Sequence, residues 1–185
     1  MKPKENPNCI PVPADADVRF PSEHGWFYFK SHPNTRIEGS VDISDNAWVS
    51  GNAQVYGNAQ VSGNALVFGN ARVSGDALVS DNALVYGDAQ VYGNAWVYGN
   101  AQVSGNAWVY GNALVSGNAL VSGNAWVYGN ALVYGNARVF DNARVFDNAQ
   151  VSGDAQVSGN AWVSGNAWVS GGNLIGVTIS TYAVR

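Results

Sequence analysis

The chain has 185 residues, of which 12% are charged, and a formal net charge of −4. That length suits one domain, and so little positive charge excludes the electrostatic field with which a protein holds a nucleic acid duplex. A single cysteine, Cys9, excludes a disulfide framework and a cysteine metal cluster.

The opening segment is Pro-rich (Pro3, Pro7, Pro11, Pro13) and has no apolar run of the kind a secretory signal needs. No later stretch approaches a transmembrane length, so the expected location is cytoplasmic, without a membrane partner. Gly25-Trp26-Phe27-Tyr28-Phe29 is an aromatic cluster suited to covering the end of whatever follows. Residues 1–34 are therefore read as an N-terminal capping segment.

From Ala47 onward one six-residue word repeats: Ala-x-Val-(Ser/Tyr/Phe)-(Gly/Asp)-(Asn/Asp). Its Ala falls at 47, 53, 59 and every sixth residue to 167, giving 21 copies without insertion or deletion. Positions one and three alternate with variable positions two and four, which is strand patterning with Ala and Val facing inward. Positions five and six are turn chemistry, because Gly and Asn accept positive φ at low cost. A short strand and a tight corner in every word predict a flat-sided coil, with three words closing one triangular turn. Thr35-Arg36-Ile37-Glu38-Gly39-Ser40 and Val41-Asp42-Ile43-Ser44-Asp45-Asn46 are degenerate words in the same register. Residues 35–172 thus make between seven and eight coils. The sixth-position Asn residues are expected to form amide ladders from coil to coil. Asn173 to Arg185 leaves the word but stays apolar and is read as a terminal strand, shortened or serving as an assembly point.

The word resembles the signature of the hexapeptide-repeat left-handed β-helix family, as Ala47-Trp48-Val49-Ser50-Gly51-Asn52 illustrates. The resemblance extends to uncharacterised hexapeptide-repeat proteins of bacteria and their phages. It implies an all-β fold, a single-stranded left-handed parallel β-helix in the shape of a triangular prism. It also implies trimerisation through coil faces, and raises the possibility of acyltransferase activity. The catalytic base of those enzymes is a His near a subunit boundary. Here His24 and His32 both precede the first regular word, and no word contains His, Cys or Lys. No catalytic residue, metal ligand set or cofactor is assigned; the enzyme alternative would draw its active residues from the N-terminal segment, with His24 as the base, or from a missing C-terminal part.

Every third word falls on the same face, and one face stands out. It places Tyr92, Tyr110, Tyr128 and Phe146 in one column, with Trp108, Trp126, Arg144 and Trp162 in the column beside it and Arg72 as a flank. A flat aromatic wall of that size on a soluble chain marks an interaction site. The preferred reading is subunit packing into a dimer or trimer, so that the protein is a non-catalytic scaffold or binding surface. The second is binding of a small molecule, a nucleotide or a glycan, through Trp108, Tyr110, Trp126, Tyr128, Arg144 and Phe146. The bland third reading is that aromatics are good residues for cross-strand columns.

Overall fold

The computed structural model describes residues 18–19, 26–29, 32–38, 41–180 and 183–184. The Pro-rich opening, Cys9 and His24 lie outside the described residues. Strands are β1 (Val18–Arg19), β2 (Trp26–Phe29), β3 (His32–Glu38) and β4 (Asp42–Ile43), then β5 (Trp48–Val49) and one strand for every word to β25 (Trp168–Val169). Three more follow: β26 (Asn173–Ile175), β27 (Thr178–Ile179) and β28 (Ala183–Val184).

Each word contributes a minimal strand, its second and third residues, followed by a turn at positions five and six. From word to word the strands pair in parallel with the strand three words on, as Trp108 with Trp126 and Val109 with Val127. The result is a prism of about eight coils with three sheets of 11, 9 and 8 strands. Each word between Val41 and Asn148 donates three backbone N–H groups to the next coil; Trp108, Tyr110 and Asn112 give theirs to the carbonyls of Ala125, Val127 and Gly129 at 2.9, 3.0 and 2.8 Å. These bonds run between coils and not within them, so no coil is an independent unit.

The core is made of the two inward residues of the word. Every Val from Val55 to Val169 and nearly every Ala between Ala53 and Ala167 is fully buried, and among the described residues no fully buried side chain is larger than Val. The interior of a triangle with sides one short word long is narrow, which is why the word tolerates nothing bulkier at these positions. Burying one Val contributes roughly 1.5–2 kcal/mol, and each coil buries one from every side.

At the N-terminal end, β2 runs antiparallel to β3, and β1 antiparallel to β2, so a hairpin extends the first sheet alone. At the other end, residues 173–184 form three strands that continue the coil rather than one. Gln156 pairs with Asn173, Trp162 with Thr178 and Trp168 with Ala183, so the offset shortens by one residue at each successive corner. That drift hides the coil from a search for the six-residue word. Leu174 still points inward, and Ile179 packs against the same core. Among the described residues no helix is long and apolar enough to cross a membrane.

Candidate functional site

The sheet built on β3 carries all eight residues expected to form a surface. Registered pairing sets Gln90, Trp108, Trp126, Arg144 and Trp162 one above another at position two. Beside them the position-four rings stack: Tyr92 on Tyr110 at 4.9 Å, Tyr110 on Tyr128 at 4.9 Å and Tyr128 on Phe146 at 5.0 Å. Their planes lie within 3° of parallel. Trp108 and Trp126 stack in the same way at 5.1 Å. The separations are close to the inter-strand spacing of about 4.8 Å, because in-register parallel strands hold equivalent side chains in equivalent rotamers.

The two columns lock together at both ends. Tyr92 and Trp108 meet edge to face at 6.3 Å and 74°, and Phe146 and Trp162 at 6.3 Å and 77°. Arg144 stands inside the Trp column. Its guanidinium carbon lies 4.5 Å from the Trp126 ring and 5.3 Å from Trp162. A planar cation substitutes for a ring in such a stack and is attracted to the ring faces on both sides. Mutual cover shows in exposure: Trp108 and Trp126 are half-buried, whereas Trp48 and Trp96 on the other two faces are 53% and 50% exposed.

Loss of water around the stack raises the phenol pKa values of Tyr92, Tyr110 and Tyr128. At Tyr110 the neighbouring Tyr92 and Tyr128 raise it further, and Arg144 acts in the opposite sense. At Tyr128 burial is again the largest cause, followed by Arg144, which lowers it, and Asp147, which raises it. These tyrosines remain neutral donors.

Amide ladders flank the sheets as expected, and each amide donates toward the C-terminal end. One runs unbroken from Asn46 through Asn64, Asn82, Asn100, Asn118 and Asn136 to Asp154. The other two stop early. Asn70 donates to Asp88 at 2.8 Å and Asn58 to Asp76 at 3.0 Å, and the ladders resume only at Asn106 and Asn94. A carboxylate accepts and has no proton to pass on. Asp residues at position five behave differently: the carboxylates of Asp45, Asp81, Asp141 and Asp147 accept the backbone N–H of the glycine one coil on, at 3.0–3.1 Å. The corner carboxylates therefore hold coils together.

Sequence reasoning places Arg72 only as a flank of the wall. In the structure it lies in a polar cleft of about 380 Å³ lined by Asn52, Gln54, Asn70, Arg72, Asp88 and Gln90, at the corner below the aromatic columns. The available signal was Asp at a sixth position in register with Arg at a neighbouring second position. Among the described residues no three of His, Cys, Asp and Glu come together as a metal site would require.

Three registered parallel sheets closing on a Val and Ala core define the class: a β-solenoid repeat protein. The family model described as YdcK Beta solenoid repeat matches residues 59–75, 71–87, 89–105, 101–117, 107–123, 115–129, 125–140, 137–153 and 155–171, more than half of the chain. The chain belongs to that beta-solenoid repeat family. No curated protein matches it.

Proposed function

We propose that this solenoid is a non-catalytic scaffold that self-associates as a dimer or trimer through the aromatic columns of the first sheet. The observation that carries the reading is the use of the ring faces. The Tyr92, Tyr110, Tyr128 and Phe146 rings, and the Trp108 and Trp126 rings, are stacked at about one coil repeat, 4.9–5.1 Å from one to the next, and Arg144 fills the gap between Trp126 and Trp162. A planar guest between two rings needs ~7 Å, two contacts of roughly 3.5 Å each. A sugar or base therefore cannot enter the columns. What the wall offers outward is a flat strip of ring edges and neutral phenols, which suits another protein face of similar flatness.

Native mass spectrometry tests this on the wild type and on the double variant Tyr110→Ser with Tyr128→Ser. Both replacements are residues already common at position four of the word, so the coil is retained. The expected result is a dimer or trimer for the wild type and a folded monomer for the variant, with matching circular dichroism. A wild-type monomer at micromolar concentration defeats the scaffold reading. Reproducible extra mass that the variant loses defeats it in favour of a captured small molecule on the wall.

A further inference from the structure

We infer that the solenoid divides at one seam, between residues 71–88 and 89–106, and that the coils before it open as a unit while those carrying the aromatic wall stay folded. Position six is Asn in every word from Asn46 to Asn166 except at Asp76, Asp88 and Asp154. Asp154 ends its ladder near the last coils. Asp76 and Asp88 stand at different corners, yet each accepts an amide from the preceding coil and faces the same following coil, at Asn94 and Asn106. A carboxylate has no proton to give the amide oxygen beyond it. Among the described residues no side-chain bond joins Asp76 to Asn94 or Asp88 to Asn106, so two of the three amide rungs are missing at one seam.

The steps on either side are complete. Asn58, Asn64 and Asn70 make all three rungs into residues 71–88, and Asn94, Asn100 and Asn106 make all three out of residues 89–106. Ring stacking divides at the same place. Phe68 stacks on Tyr86 before the seam at 5.1 Å, and Tyr92 on Tyr110 beyond it at 4.9 Å. Across the seam, registered pairing sets Ser74 against Tyr92, Ser80 against Tyr98 and Tyr86 against Ser104, so every ring in those columns faces a serine. What remains is common to all coils: the Val and Ala core and the backbone ladder, as where Ser74, Ser80 and Tyr86 donate to Val91, Val97 and Val103 at 2.9, 3.0 and 3.0 Å. Only the third corner is reinforced. There Asn82 donates to Asn100 and the Asp81 carboxylate accepts the Gly99 N–H, both at 3.0 Å. The two corners without rungs border the wall-bearing sheet. In a stack of coils each unit is held by its neighbours, so a partly open form ends where the folded remainder gains least from the next coil. Tyr92 and every other residue of the wall lie beyond that point, and the ring columns therefore stand while the earlier coils open.

The experiment is native-state hydrogen exchange on the full chain, comparing the wild type with the double variant Asp76→Asn with Asp88→Asn. In the wild type, backbone amides of residues 41–88 should share one level of protection, with an abrupt rise past Asp88. The double variant supplies both rungs with the residue the other words use. It should raise protection of residues 41–88 by about tenfold, the effect of two modest hydrogen bonds, and leave residues 107–148 unchanged. A second pair, Asp76→Ala with Asp88→Ala, removes the same charges without an amide donor and should not raise it. The Tyr110→Ser with Tyr128→Ser variant should keep the break at the same residue, which separates this inference from the self-association reading. A smooth gradient from the N-terminal end, a break that the Asn pair leaves unchanged, an equal gain in the Ala pair, or a break that vanishes with the two tyrosines overturns the inference.

Discussion

Position five of the word is where the backbone is most demanding. Gly111 has φ of 74°, and a Cβ added there would sit 3.1 Å from both the N and the O of Gly129 in the next coil. Handedness of the residue and closeness of the coils therefore both require glycine. Gly111→Ala should destabilise the fold by about 2 kcal/mol, combining left-handed backbone strain with a tight contact; urea unfolding measures it. Asp81 occupies the same position with φ of 60° and regains stability through its carboxylate, which accepts the N–H of Gly99 at 3.0 Å. Asp81→Ala should then cost more than Asp81→Gly. Alanine keeps the strain and loses the hydrogen bond, while glycine loses only the bond. In each of the four cases the Asp is followed one coil on by a glycine, never by a second Asp, as repulsion and space demand.

At the scale of the element, strands as short as these acquire stability only as columns. The Tyr92, Tyr110 and Tyr128 column shows the consequence in its protonation. Burial of the stack holds these phenols above their ordinary value of 10.0. The folded state thus favours the neutral form more than the unfolded state does. That contribution is fully present below the ordinary value and is lost as pH rises through the higher folded values. Phenolate absorbance should accordingly show a late-titrating group of tyrosines, and thermal stability should fall as the pH is raised beyond the ordinary phenol range. The late group should shrink in the Tyr110→Ser with Tyr128→Ser variant. Titration of every tyrosine together at the ordinary value would mean that the stack does not exclude water.

For the whole molecule, stability is a sum over coils and the contacts between neighbours. Damage should therefore stay local. Gln102 lies on a central strand, paired to Leu84 on one side and Leu120 on the other, and its N–H donates to Ala119 at 2.9 Å. Gln102→Pro removes that donor and should cost about 3 kcal/mol. Limited proteolysis should then open a site near Gln102 while coils several turns away keep their protection. Uniform loss of protection along the chain would show instead that the prism unfolds as one cooperative unit.

Much of this was legible in the residues. Alternation of Ala and Val reports the buried side of each strand, and Gly-Asn reports the corner, because both are local demands met within a single word. The unbroken period allowed the three faces to be sorted, and with them the Tyr column and the Trp column. The final coil was not legible, since the shortening offsets after Gly172 remove the period that made the others visible.

Sequence by itself determined the triangular coil, its Val and Ala core, the amide ladders and the residues of the wall. Each follows from chemistry repeated in register. Only the tertiary structure decided how the side chains of different coils meet. It set the ring columns at one coil repeat, so that their faces are closed, placed Arg144 between Trp126 and Trp162, and opened a cleft beside Arg72 where Asp88 ends a ladder. The reason is physical: periodicity specifies which residues align, whereas the distance and tilt between aligned side chains are set by the rise of the coil and the packing of neighbours, which no single word contains.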